Sequence, residues 1–279
     1  MQGKTVVITG ATSGIGEVAA DRLAQHGARI VFIARDQARG EAMLKHLDAI
    51  AGHSPHAVFY ADMSRLSEMR RVAGEIAAAC PQIDVLINNA GAMFAHRQLT
   101  GDGLELSFAL NHMAYFVLTT QLLPRLKGPA RIVCTASAAH KGAKLDFDDL
   151  QSAKSYTGWG AYGRSKLMNI LFTRTLASRL QGSGVTANCL HPGFVNTRFG
   201  DNNKGVFRWG LGLAKNVALS PAQGAETLIY LASSPEVACE SGKYFHKCQV
   251  ETPSREARND EDGKRLWQLS EAIAGQGIS

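Results

Sequence analysis

Short, uniformly apolar runs alternate along this chain with longer stretches in which apolar residues recur at helical spacing. Thr5-Val6-Val7-Ile8-Thr9 is β-branched throughout, and Ile15, Ala19 and Leu23 then fall on one face of a helix. The same pattern predicts strands at Ile30-Ile33, Val58-Tyr60, Asp84-Ile87, Arg131-Cys134, Val185-Asn188 and Lys243-Phe245, most of them separated by helical segments. A strand with one wet face alternates apolar and polar residues. These runs do not, so both of their faces are predicted to be buried, as in a parallel sheet covered by helices. The alternation runs from residue 4 to about residue 190, with no Pro- or Ser-rich linker and no internal repeat. The expected fold is a single α/β domain over residues 1–279: a doubly wound, Rossmann-type, mostly parallel sheet of about seven strands with helices on both faces. Ligands of such sheets bind at the carboxyl ends of the strands.

Composition narrows the function classes. Of 279 residues, 45% are hydrophobic and 19% charged, which excludes a disordered chain. No run approaches 18 consecutive apolar residues, so no membrane span is expected. The net charge is +6, but the 30 Lys and Arg are scattered, which suits a small anionic ligand better than nucleic acid. The five cysteines are odd in number and lack C-x-x-C spacing, so reduced thiols are expected rather than a disulfide frame or zinc site. His46, His53 and His56 share a helix–loop region without making a metal-ligand pattern, and no metal is expected. Met1-Gln2-Gly3-Lys4 lacks the apolar run of a signal peptide, and the terminal Gly-Ile-Ser is no retention or peroxisomal signal. A cytoplasmic location is expected.

Candidate chemistry begins where the first strand ends. Thr9-Gly10-Ala11-Thr12-Ser13-Gly14-Ile15-Gly16 is a glycine-rich turn into a helix. Glycines let the backbone turn tightly and approach a pyrophosphate, and the helix start offers free N–H groups and a positive dipole end. Gly10, Thr12, Ser13, Gly14, Ile15 and Gly16 are therefore candidate cofactor-binding residues. The second strand ends in Ala34-Arg35. An acid at that strand end would take the ribose 2′-hydroxyl of NAD. Ala34 cannot, whereas Arg35 can pair with a 2′-phosphate. Arg39, one helical turn on, is either a second such cation or a solvated one. NADP(H) is the predicted cofactor.

Tyr162-Gly163-Arg164-Ser165-Lys166 opens a helical stretch, so Tyr162 and Lys166 project from one face. A phenol is a poor acid–base at neutral pH. A neighbouring ammonium is expected to lower its pKa, as would an oxidised nicotinamide.

Together with Asn88-Asn89-Ala90-Gly91, Asn111, Ser137 and His191-Pro192-Gly193, these segments resemble the short-chain dehydrogenase/reductase superfamily over nearly the whole chain. Asn111-Phe116, Ala161-Leu167 and Ser241-Phe245 resemble the versions in the retinol dehydrogenase-like group, which includes WW-domain oxidoreductases. The resemblance implies a catalytic tetrad. Tyr162 would be the general acid–base. Lys166 would lower its pKa and hold the nicotinamide ribose. Ser137 would hydrogen-bond the substrate oxygen, and Asn111 would fix a proton-relaying water. Asp62 would contact adenine with Met63 beside it, and Asn89, Ala90 and Gly91 would border the adenine ribose. Val195 and Thr197 would meet the nicotinamide amide. The cofactor half is then about residues 1–135 and the catalytic and substrate part about 136–279.

Plainer roles stand beside these. Asn88 is expected to brace the sheet, Asn111 could simply bond backbone, and His112, His140 and His191 read as satisfied or exposed histidines. Two departures stand out. Cys134 replaces the family's usual Asn, and Ala136-Ser137 replaces its double serine, which leaves Ser137 as the one candidate serine. Strand alternation puts Thr135 on the face of Ser137 and Cys134 opposite. The long stretch between Ser137 and Tyr162 is shared with the retinol dehydrogenase-like group, many of whose members carry an N-terminal anchor not seen here, which implies a soluble relative. Residues 198–219 are apolar and glycine-broken, where the family places a substrate-covering lid, and suit a lipophilic carbonyl. The expected activity is NADP(H)-dependent hydride transfer between nicotinamide and a carbonyl or alcohol, on a lipophilic aldehyde, ketone or retinoid-like substrate. The rivals are a 3-oxoacyl thioester reductase of the same superfamily and a non-catalytic NADP(H) sensor. A homo-oligomer paired through the helices holding Asn111 and Tyr162 is a further expectation by analogy.

Overall fold

The computed structural model describes residues 1–51, 55–194 and 219–275. The apolar runs become strands β1 (Thr5–Thr9), β2 (Arg29–Ala34), β3 (Ala57–Tyr60), β4 (Val85–Asn88), β5 (Ala130–Thr135), β6 (Val185–Leu190) and β7 (Tyr244–His246). They lie in the order β3-β2-β1-β4-β5-β6-β7, all parallel. The order reverses direction between β1 and β4, so the crevice of a doubly wound sheet opens at their carboxyl ends.

The uniform apolarity of the strands has a direct structural cause. Successive side chains point to opposite faces. Val7, Val31, Leu86, Ile132 and Ala187 stand in register across five strands and belong to one core. Val6, Ile8, Ile30, Phe32, Ile87 and Val133 belong to the other. Helices α1 (Gly14–Gln25), α2 (Gln37–Ala51) and α7 (Pro221–Ser233) cover the second core. The first is covered by α3 (Leu66–Ala79), α5 (Ala114–Leu122), α6 (Gly158–Arg179) and α8 (Asp260–Gly275). A one-turn α4 (Leu106–Phe108) runs through a π-helical turn, Ala109–Met113, into α5.

An eighth strand, β8 (Gln249–Val250), was not predicted and pairs antiparallel with β7. Its hairpin turn places Lys247 (φ 49°) and Cys248 (φ 61°) in the left-handed region. No glycine or asparagine marks that turn, so it carries no sequence signal.

The C-terminal helix α8 packs on α6 and reaches α5 through Trp267. Trp267 packs edge-on to Phe116 (5.0 Å), stacks on Phe172 (5.8 Å) and lies under the Arg179 guanidinium (4.3 Å). Gly263 permits the approach, because a Cβ there would lie 2.6 Å from Thr175 Oγ1. Trp267 is buried, so Trp267→Ala is expected to cost about 3–5 kcal/mol. Chemical denaturation should show a lower midpoint, and an unchanged one would mean that α8 is not part of the cooperative core.

Candidate active site

The glycine turn is built for close approach. Gly10 (φ 72°) and Gly14 (φ 62°) adopt left-handed backbone. A Cβ on Gly16 would lie 2.2 Å from the Gly10 carbonyl oxygen, so the first turn of α1 is pressed onto the end of β1. Ser13 is the N-cap of α1, yet its hydroxyl makes no capping hydrogen bond, which leaves it and the first-turn amides available to an anion. Arg39 donates to the Thr12 carbonyl (2.8 Å) and so fixes a cation at the turn. Arg35 is exposed at the end of β2.

The strand β4 reinforces this turn. The Thr9 hydroxyl accepts from the amides of Asn89 and Ala90, both at 2.9 Å. The Asn89 side chain donates to the carbonyls of Thr9 (3.1 Å) and Gly10 (3.4 Å) and accepts from Thr135 Oγ1 (3.2 Å). Asn88 is buried inside the sheet and donates to Thr119 Oγ1 (2.8 Å). After β3, Asp62 accepts from the amide and hydroxyl of Ser64. The Met63 side chain belongs to the core.

Tyr162 and Lys166 project from α6, whose N-cap Thr157 accepts from the Gly160 amide. Glycines again set the spacing: a Cβ on Gly158 would lie 2.4 Å from the Phe94 carbonyl, and one on Gly163 would lie 2.7 Å from that of Ala139. Lys166 is 2% exposed and donates to the Thr135 carbonyl at 3.0 Å. Its ammonium lies 5.5 Å from the Tyr162 ring centroid and 5.7 Å from that of Tyr115. Asn111 sits on the π-helical turn, where it accepts from the Ala92 amide (2.9 Å) and donates to the Ala92 carbonyl and Ser165 Oγ (both 2.9 Å). Both of its N–H bonds are thus committed, and its oxygen, with one lone pair taken by the Ala92 amide, keeps one acceptor position. A Cβ on Gly91 would lie 3.1 Å from both Asn111 Oδ1 and Lys166 Nζ, so Gly91 keeps the space between them clear. Ser137 follows β5. Its hydroxyl accepts from the Ala139 amide (3.2 Å), and it is hydrogen-bonded to Tyr162.

The electrostatics correct one expectation. Lys166 does not bring the phenol down. Burial pushes Tyr162 up to about 12, partly offset by Ser137, and pushes Lys166 down to about 8. A charge buried in the crevice loses hydration, and that loss is the largest cause of both shifts.

Three further features carried little sequence signal: the Thr135 carbonyl that anchors Lys166, the carbonyl contact of Arg39, and a carboxylate hub. Glu251 receives Lys141 (2.8 Å), His191 (3.4 Å) and His246 (3.2 Å). His191 Nδ1 accepts from the Gly193 amide (3.2 Å), so its proton is on Nε2 and donated to Glu251. Burial and His246 push His191 down to about 4. His191, His246 and Glu251 thus form a hydrogen-bonded hub whose facing nitrogen and oxygen atoms lie within 4.8 Å of one another. Val195, Thr197 and residues 198–218 lie outside the described residues.

Lys166→Met tests the burial of the ammonium. The folded-state pKa of Lys166, about 8, is below its ordinary 10.5. Between those values the unfolded chain binds more protons at this site, so stability rises with pH there. The wild type should therefore gain on Lys166→Met by a few kcal/mol across that window. Paired urea unfolding between pH 7 and pH 10 reads this, and a pH-independent difference would refute it.

Similarity to known proteins agrees with this geometry. The short chain dehydrogenase family model matches residues 4–205. Human retinol dehydrogenase 14 is 40% identical over 99% of this chain and 87% of its own length. Mouse retinol dehydrogenase 12 is 41% identical over 98% and 87%. A Mycobacterium paratuberculosis structure superposes with TM-score 0.80 at 33% identity, covering 98% of this chain and 94% of that one. The NADP active-site complex of Pseudomonas aeruginosa RhlG does so with TM-score 0.71 at 26% identity, covering 88% and 94%. Matched over most of its length by the family model, and over nearly all of it by relatives this similar, the chain belongs to the short-chain dehydrogenase/reductase family, as an oxidoreductase of alcohol and carbonyl groups that resembles the retinol dehydrogenases.

Proposed function

We propose that this chain is an NADP(H)-dependent reductase of lipophilic carbonyl compounds, with Asn111, Ser137, Tyr162 and Lys166 as its catalytic group. The observation that carries the reading is the convergence of buried Lys166 and Tyr162 with half-buried Ser137 on one crevice, beside a glycine turn whose N-cap Ser13 makes no side-chain cap hydrogen bond. The turn suits a dinucleotide: side chains at Gly10, Gly16 and Gly91 would press on Ala90, the Gly10 carbonyl, and Asn111 with Lys166, and Gly10 and Gly14 hold left-handed backbone. Gly10, Thr12, Ser13, Gly14, Ile15 and Gly16 would hold the pyrophosphate. Asp62 and the backbone of Met63 would border the adenine, and Asn89, Ala90 and Gly91 its ribose. Arg35, with Arg39 behind it, would take a 2′-phosphate, a reading supported by the NADP complex of the similar RhlG structure. Lys166 would hold the nicotinamide ribose. When bound, the nicotinamide supplies or accepts the hydride.

The protein's share is proton transfer and positioning. Burial keeps Tyr162 protonated at neutral pH, which is the form that gives a proton to a carbonyl oxygen during reduction. Ser137 donates a hydrogen bond to the same oxygen as its charge develops. Lys166 keeps a positive charge beside the tyrosine, and Asn111 Oδ1 would hold the water through which that charge is linked to solvent. Trp159, 57% exposed on the first turn of α6, has its ring 6.2 Å from that of Tyr162. An apolar wall beside the proton donor suits an extended, lipophilic aldehyde.

The test is NADPH consumption by the purified protein, with NADH in parallel. The panel would hold a polyene aldehyde, medium-chain aldehydes, an aromatic ketone and a 3-oxoacyl thioester. Turnover is expected on the lipophilic aldehydes. Turnover confined to the thioester, or NADPH binding without turnover, would overturn the reading. Tyr162→Phe should lower kcat by about 10²–10⁴ with NADPH affinity retained. Arg35→Ala should weaken NADPH about 10- to 100-fold and leave NADH unchanged. Equal loss for both cofactors would remove the 2′-phosphate assignment.

A further inference from the structure

We infer that His140 is a positioning residue for Ser137, an inference that rests on the reductase reading of that site. His140 ends the 3₁₀ turn Ala138–His140 directly after the serine and is fully buried. Its Nδ1 lies 2.7 Å from the Ser137 carbonyl oxygen. A carbonyl only accepts, so Nδ1 carries the proton. Its Nε2 accepts from the Ser254 amide at 3.1 Å. Each nitrogen has one partner, and together the partners require a single neutral tautomer. The ring stands edge-on to Tyr244 of β7, with centroids 5.1 Å apart.

The arrangement does more than satisfy backbone. The Ser137 carbonyl already accepts from the His140 amide at 3.1 Å, as a 3₁₀ turn provides. The imidazole is a second donor to the same oxygen, and it ties that peptide to a segment 114 residues away in sequence. The neighbouring Lys141–Glu251 ion pair (2.8 Å) fastens the same loop to the chain just after β8. The serine whose hydroxyl meets the substrate is thus held from the C-terminal part of the domain as well as from β5. An error of about 1 Å in such a group is enough to cost orders of magnitude in rate.

The experiment compares wild type, His140→Phe, His140→Asn and Tyr162→Phe as full-length proteins. The phenylalanine keeps the ring volume and removes both nitrogens. The asparagine keeps an N–H near the place of Nδ1. His140→Phe is expected to lower kcat about tenfold or more, with KM for the aldehyde and NADPH affinity within about twofold of wild type. His140→Asn should recover most of that loss, which a general packing role would not allow. Nitrogen NMR of the wild-type histidines should place the His140 proton on Nδ1, a readout that needs neither turnover nor a folded variant. A kcat within twofold for His140→Phe, no recovery in His140→Asn, or a proton on Nε2 would each overturn the inference. Activity lost in Tyr162→Phe but kept in His140→Phe sinks this inference alone, whereas full activity in Tyr162→Phe sinks the reductase reading.

Discussion

An ammonium group stored in the interior is the constraint around which this molecule is arranged. Lys166 is 2% exposed, and an unpaired buried charge costs several kcal/mol. Among the described residues no carboxylate is hydrogen-bonded to it. Its support is the Thr135 carbonyl and the faces of Tyr115 and Tyr162. That support exists only if the end of β5, the first turn of α5 and the first turns of α6 converge. The glycines at 91, 158 and 163 are what allow the approach. Depression of the Lys166 pKa to about 8 measures the tension that remains.

The parallel sheet makes the convergence possible. Every strand from β1 to β7 ends at the same edge, so the glycine turn, Asn89, Ser137 and His191 are neighbours although far apart in sequence. Hydrogen bonds then lock the loops to one another. Thr9 and Asn89 join the first and fourth, and Thr135 joins the fourth and fifth. Glu251 and His140 bring the C-terminal segment onto the fifth and sixth. The crevice is a set of loop ends, each held by at least one other.

The same view explains why the C-terminal quarter matters to a proposed site whose proposed catalytic residues all precede residue 167. Helix α8 covers α5 and α6 through Trp267, and the β7–β8 hairpin delivers Glu251 and Ser254. Family resemblance draws attention to Tyr162 and Lys166 and says little of these supports. They act on the catalytic loops from outside.

Local pattern was enough for the strands, because burial on both faces requires apolar residues at every position, as in Val6-Val7-Ile8. It was enough to put Tyr162 and Lys166 on one helix face, since that follows from helical geometry. The glycine spacing likewise marked the turn that Gly10 and Gly16 now form. The β8 hairpin escaped notice because Lys247 and Cys248 hold a left-handed turn without the residues that usually signal one. The direction of the tyrosine shift was misjudged because hydration is lost according to depth, and depth is set by helices distant in sequence. The contacts of Arg39, Thr135, His140 and Glu251 also join residues that only the folded sheet brings together. Sequence alone determined which residue types occupy each element, because that depends on periods of two and of 3.6 residues. Tertiary structure decided burial, tautomer and charge, because those depend on what packs against each group from the rest of the chain.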